Sequence, residues 1–447
     1  MKLINKITIV GGGTAGWLTA AYLSHQFPFY KITLVDKEKS TPVGVGEGTL
    51  LNFGKFLHAC GFKKAEWYGK LKAVHKAGIL FPKFISDNKT IWHPFNYKGS
   101  FDKWSNDQTK DFKQEVLSLY DEAVINNITR ADQIDNYAYN VDCSELVKFI
   151  QEKIKDKIQI IRHEVKSIER DENNFIKHLH LENGDNVDSD LFIDCTGFKA
   201  LLNNNKKLVN LKDRLICDTA IAAHIPYVDK KEKHPYVKSE AVSCGWIWDI
   251  PVTERIGSGV VFNRSITKPE DALKVLNSYW QNPKREGIQK SKLIDWTPYY
   301  SKNFWHENVV HIGLSAAFIE PLESTGVALI MDGIYHFASR IEKLYYNKRD
   351  IDIYNQVMEL FLEESIDFVN MHYVNNNKTE KFWRIASSTL KMSDRQKYYI
   401  EMLKNTDISI DLIARSNAFQ KYNFFSTFNW IVWLIQSGYS VKSRIWR

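Results

Sequence analysis

The sequence predicts an α/β fold with a mixed second module threaded through its core and a mainly helical C-terminal part. Three observations carry this. Residues 6 to 36 read as strand, glycine turn, helix and strand. A second buried strand, residues 191 to 194, closes on a turn far along the chain and is suited to rejoin the first sheet. The pattern then changes from β-rich between 210 and 265 to mostly helical from 326 onward.

Residues 6 to 10, KITIV, form a β-branched run that breaks at Gly11-Gly12-Gly13-Thr14-Ala15-Gly16 and resumes as the helix-compatible WLTAAYLSHQF. KITLVDKE follows, a second strand ending at Asp36. This order is the dinucleotide-binding unit. Gly11 permits the tight turn, Gly13 lets the backbone approach a pyrophosphate, and Gly16 lets helix and strand pack closely. The pyrophosphate sits on the free N–H groups of the helix start, around Thr14 and Ala15. Asp36, twenty residues beyond Gly16, is placed for the ribose hydroxyls.

In TPVGVGEGT, residues 41 to 49, Gly46 and its neighbours surround Glu47; this is a backbone-led binding loop or a linker, and the pattern leaves both open. Residues 90 to 130 are polar and aromatic with little periodicity, as an inserted module would be. Residues 144 to 157 suit a helix. IQIIRHEVKSIER and a hairpin turning at Asn183-Gly184 follow, then the strand 191 to 194 closing on Thr196-Gly197. In CGWIWDIP, Trp246 and Trp248 alternate along a strand and so face one side, which usually means core; Pro251 suggests a place near a sheet edge. The expected division is a discontinuous core over 1–345, interleaved substrate segments at about 85–140 and 210–290, and a mainly helical substrate subdomain over 346–447.

The 447 residues are 44% hydrophobic and 25% charged, enough for a large core and against extensive disorder. The net charge of +7 is small for this length and forms no basic stripe, which argues against a nucleic-acid partner. Five widely spaced cysteines without a CxxC favour reduced, buried thiols over disulfides, and no metal site is indicated. No run of 18 apolar residues occurs, and the N-terminal apolar run is too short for a signal segment. A soluble cytoplasmic protein without a membrane association is expected.

Together these segments resemble the flavin-dependent tryptophan halogenase family. The resemblance rests on the glycine loop at 11 to 16, GEGT at 46 to 49, DLFIDCTGF at 190 to 198, and WIWDIP within 245 to 251, the family's WxWxIP signature. FIEPLESTG at 318 to 326, IDFVNMHY with FW at 382 to 383, and the closing TFNWIVWLIQSGY continue it in family order, so nearly the whole chain is covered. The resemblance implies an FAD/NAD(P)-binding, monooxygenase-like fold. It also implies FAD delivered reduced, as FADH2, by a separate NAD(P)H:flavin reductase, and a halide ion as co-substrate. Trp246 and Trp248 are then the rings that wall the flavin off from organic substrate. GLSAA, from Gly313 to Ala317, has Leu314 where a related hydroxylase carries an acid.

The resemblance also assigns roles. Composition alone makes Lys76, in LKAVHKAGILF, one surface lysine among many; the family match makes it the catalytic lysine that holds hypohalous acid or is itself halogenated. Glu323 matches the essential glutamate, which stabilises the ring cation and takes its proton. Glu320 is left to structural hydrogen bonding. Thr325 and Gly326 match the backbone cradle for halide. Trp92 and His93 either line the substrate pocket or are an ordinary packed pair. The family's aromatic-and-acid clasp over an amino acid is reduced here to a trace at Tyr398-Tyr399, so the expected substrate is a small electron-rich aromatic, an indole or phenol, rather than free tryptophan. A homo-oligomer is compatible with this reading. The rivals are a flavin-dependent aromatic hydroxylase and a non-catalytic flavin-binding module.

Overall fold

The computed structural model describes residues 2–37, 46–94, 137–204, 207–229, 232–285, 287–288, 290–405 and 424–439. Most of the segment expected as an inserted module, the start of the TPVGVGEGT loop, and residues 406–423 therefore lie outside the described residues.

Apolar β-branched runs need cover on both faces, and the central sheet has it. Its six strands lie in the order Trp305–His306, Val309–His311, Leu191–Asp194, Lys6–Val10, Lys31–Val35 and Gln159–Ile161. Every neighbouring pair is parallel except the first. Ile7, Ile9, Ile32, Leu34, Leu191 and Ile193 face one way, into the main core with the helix Thr14–Gln26. Val10, Val35, Phe192 and Val309 face the other way, onto a small antiparallel sheet of Val165–Arg170, Ile176–Leu181 and Asn186–Val187. The predicted hairpin turn is there, with Gly184 at φ +89°. The strand 191–194 does return to the first sheet, pairing directly with residues 7–10.

The second large sheet has seven strands, ordered Lys290–Asp295, Thr219–Pro226, Arg255–Phe262, Gly245–Pro251, Val237–Val242, Gly78–Pro82 and Thr90–Pro94. Its outer face, with Ile221, Ile247 and Val260, packs under the helix Pro269–Tyr279. Its inner face turns Ile79, Val237, Trp246, Trp248 and Val261 into the main core. The tryptophan strand is the middle strand of this sheet, not a strand near its edge as Pro251 suggested. The proline is harmless because Val252 N–H bonds Arg255 O across the adjoining turn, and pairing with the other neighbour stops at Asp249. No ladder bond needs its missing N–H.

A three-stranded sheet, Glu47–Gly48, Ala138–Val141 and Val74–Lys76, brings together segments far apart in sequence. The late part is helical as expected: Thr325–Ile341, Lys348–Val374, Lys381–Thr389, Asp394–Asn405 and Thr427–Gln436. The longest starts at a capping box in which Asn347 and Asp350 exchange hydrogen bonds. All five cysteines are buried thiols. Among the described residues no helix is long and apolar enough to cross a membrane.

Candidate active site

The glycine loop has the form a dinucleotide requires. Gly11 sits at φ +109°, and a side chain there would meet Cys195 O at 2.4 Å. Gly16 has no room either, since a Cβ would lie 1.9 Å from Gly11 O. Gly13 is different: nothing lies within 4 Å of the place its Cβ would take. The helix it caps has no side-chain cap and no acid in its first turn, so the positive end of its dipole at Thr14 and Ala15 is left to an anion. Gly313, at φ +76°, lies so close that a Cβ would be 2.8 Å from the Ala15 Cβ, which brings the GLSAA segment onto the loop. These residues fit the pyrophosphate end of FAD. Gly46, at φ +78°, and Glu47 enter the short strand that pairs with Ala138–Val141. The carboxylate of Asp36 is already engaged, accepting from Gly12 N–H at 3.0 Å and from Arg162 at 3.0 Å. Arg162 was not foreseen from sequence.

Trp246 and Trp248 share a face as alternation requires, with ring centroids 6.2 Å apart. Gly259, directly opposite Trp248, makes space for the ring; a Cβ there would fall 2.2 Å from it. At the start of the helix Thr325–Ile341, Ser324 is left-handed at φ +59° and makes no side-chain cap. Thr325 is buried, whereas a Cβ on Gly326 would meet nothing within 4 Å. Uncapped N–H groups and the positive helix end make this a place for an anion.

Lys76 is fully buried. Its strand, Val74–Lys76, delivers the ammonium to Thr49 O at 3.1 Å and to Ser324 Oγ at 2.9 Å. Burial pushes its pKa down to about 7, with Glu323 pulling the other way. Gly48 is what allows this: a Cβ there would lie 2.7 Å from Ser324 Oγ and 2.9 Å from Lys76 Nζ. Glu323, next to Ser324, is equally buried. Burial alone would raise its pKa, but His93 and His372 outweigh that and hold it down to about 2. His93 Nδ1 lies 3.1 Å from both carboxylate oxygens, and His372 Nε2 lies 2.7 Å from Oε1.

The structure thus brings Lys76, Glu323, Thr325 and His93 to one place around residues 323–326. It does not bring Trp92 there. Consecutive strand residues face opposite ways; the Trp92 ring meets Tyr236, and its backbone is bridged by Gln436. Glu320 is structural, accepting from Tyr373 OH as the sequence reading expected. Sequence reasoning missed Gly48, Thr49, Ser324, His372 and Asn429 as parts of the site. The first three sit inside the quoted blocks, and His372 inside IDFVNMHY, but nothing in their spacing marks them.

Comparison with known proteins gives the family. Residues 6–444 match the family model for tryptophan halogenase. Tryptophan 6-halogenase ThaL of Streptomyces albogriseolus is 29% identical, over 89% of this chain and 81% of that protein. Tryptophan 7-halogenase RebH of Lentzea aerocolonigenes is 27% identical, over 90% and 82%. Among solved structures, Xcc4156, a flavin-dependent halogenase from Xanthomonas campestris, superposes with a TM-score of 0.87 at 26% identity, covering 99% of this chain and 90% of that one.

Proposed function

The chain belongs to the tryptophan halogenase family, and from that premise we propose how its residues divide the work of a flavin-dependent halogenase. The enzyme oxidises a halide and transfers the halogen to an electron-rich aromatic ring. When bound, reduced FAD supplies, with O2, the oxidising power that turns halide into hypohalous acid. A separate NAD(P)H:flavin reductase provides the reduced flavin. The glycine loop, Gly313 and the 46–47 turn hold FAD, and Asp36 faces its ribose. Thr325 and Gly326 hold halide with backbone N–H groups, while Trp246 and Trp248 keep organic molecules from the flavin side. Lys76 holds the hypohalous acid, and Glu323 acts on the ring.

The observation that carries this reading is the junction at Ser324. Its hydroxyl accepts from Lys76, its chain neighbour on one side is Glu323, and on the other begins the helix with the anion-suited start. A halogen source and a base for the ring proton therefore share one buried corner. Residues 85–140 and 210–290 would be the substrate segments within the 1–345 core, and 346–447 the substrate subdomain.

Glu323→Gln tests the second role. The amide keeps the size and some hydrogen bonds but loses the charge that stabilises the ring cation. Halogenation is expected to fall by about 10²–10³ in kcat, about 2.7–4 kcal/mol. FAD binding should be unchanged. An unaltered kcat would remove Glu323 from the chemistry.

For the substrate, the reduced clasp supports a small indole or phenol over free tryptophan. A competition between tryptophan and a substituted indole, read by mass spectrometry, should favour the indole. Strong preference for tryptophan would mean that the late helical region closes over an amino acid after all.

A further inference from the structure

The two histidines beside Glu323 can be assigned their protons from the groups around them. His93 Nε2 lies 2.9 Å from Asn429 Nδ2. Asn429 cannot turn its amide over, because its Oδ1 accepts from Ser426 N–H and Oγ–H, both at 2.8 Å, in the cap of the helix Thr427–Gln436. Its NH2 therefore faces His93, Nε2 accepts, and the proton of a neutral ring sits on Nδ1, pointing at Glu323. His372 is different. Its Nδ1 lies 2.8 Å from Phe368 O, a carbonyl that only accepts, so Nδ1 carries a proton. Its Nε2, 2.7 Å from Glu323 Oε1, then needs a second proton between the two atoms.

We propose that Glu323 and His372 form a carboxylate–imidazole pair sharing one proton, in which His372 is the positioning residue that supplies the counter-charge, while His93 is a neutral donor whose tautomer Asn429 fixes. The inference rests on the reading of Glu323 as the group that receives the ring proton. Trp433 supports it independently. Its ring stacks on His372 with centroids 3.6 Å apart at 30°, a contact that stabilises an imidazolium. Of the ionisable groups facing Glu323 among the described residues, His93 comes from the strand Thr90–Pro94, His372 from the helix Lys348–Val374, and Lys76 from the strand Val74–Lys76.

The pair also decides which oxygen reacts. Oε1 is held by His372 at 2.7 Å and by His93 at 3.1 Å, while among the described residues Oε2 has the His93 contact alone, also at 3.1 Å. When the halogenated ring loses its proton, the C–H bond breaks, its electron pair restores the aromatic system, and the proton bonds to Oε2. The pair then holds two protons, a carboxylic acid beside an imidazolium, and must release one before the next turnover.

His372→Gln separates charge from geometry, because a glutamine amide N–H can stand where Nε2 stood but carries no charge. In FAD-loaded protein a protonated-carboxyl infrared band should appear near neutral pH in His372→Gln that the unaltered protein lacks, and it is assigned to Glu323 by its loss when Glu323→Gln is added. The acid limb of the halogenation pH profile should move up with it, from about 2 toward neutral pH. His93→Asn, which keeps a donor at Nδ1, should move the limb less than His372→Gln does and give no carboxyl band near neutral pH. A lower rate in His372→Gln with no carboxyl band and an unmoved limb would overturn the proposal. If that variant fails to fold, nitrogen-15 spectra of the histidines in the unaltered protein decide. A ring protonated at both nitrogens and coupled to Glu323 supports the pair; a neutral His372 beside an ionised Glu323 overturns it. Full activity in Glu323→Gln would instead sink the role given to Glu323, and the infrared and nitrogen-15 readings would still report the shared proton.

Discussion

Lys76→Ala is expected to bind FAD and oxidise reduced flavin with oxygen as the unaltered protein does, yet to form essentially no halogenated aromatic. Lys76 lies outside the glycine loop that fits the FAD pyrophosphate. Its ammonium donates to Thr49 O and Ser324 Oγ. Alanine removes the ammonium that would hold hypohalous acid, and nothing in its place would keep the acid beside the ring. Burial holds the lysine near a pKa of about 7, so its neutral amine gains population as pH rises through that value. Halogenation through a haloamine should therefore rise over the same range. Stopped-flow flavin spectra and product formation, measured on one preparation, separate the two halves. Near-normal halogenation by Lys76→Ala would mean that the oxidant diffuses freely or uses another lysine. Loss of flavin oxidation would put Lys76 in the flavin site instead.

Gly13→Val is expected to abolish FAD binding in a protein that still folds. Valine at Gly11 or Gly16 would collide with the protein itself, within 2.4 Å of Cys195 O or 1.9 Å of Gly11 O, so those changes test folding. At Gly13 the protein leaves the Cβ position open, and the branched side chain would project where the pyrophosphate has to approach the helix start. Flavin fluorescence titration with circular dichroism reads both quantities. Retained FAD binding would sink the loop assignment.

The parts of this molecule that were legible in the sequence are those set by local pattern. KITIV, the glycine turn and KITLV predicted a parallel pair because such runs bury both faces, and Asn183-Gly184 predicted its hairpin because glycine accepts the positive φ of the turn, +89° at Gly184. Pro251 misled, since a proline at a strand end can sit in the middle of a sheet when the ladder bond it lacks falls beyond its neighbour's last paired residue. The shielding of the lysine was illegible for another reason. Lys76 is buried because Gly48 and Ser324, the latter 248 residues away, close over it, and composition sees only one lysine among many.

His93 and Trp92 show the limit from the other side. Adjacent in sequence, they face opposite sides of one strand, so a reading that kept them together had to fail for one. His372 lies 49 residues from Glu323 and faces it because the long helix Lys348–Val374 carries it there. Asp36 accepts Arg162 across 126 residues for a comparable reason: strand Gln159–Ile161 pairs beside strand Lys31–Val35. Pairings of this kind belong to the tertiary fold and leave no spacing in the chain.

The most direct test of halide rather than oxygen transfer is product mass. Purified protein with reduced FAD, oxygen and a panel of indoles and phenols should give halogenated product only when chloride, bromide or iodide is supplied, with the mass following the halide. Bromide and iodide, being easier to oxidise, should serve at least as well as chloride. An oxygenated product formed equally with and without halide would contradict the account.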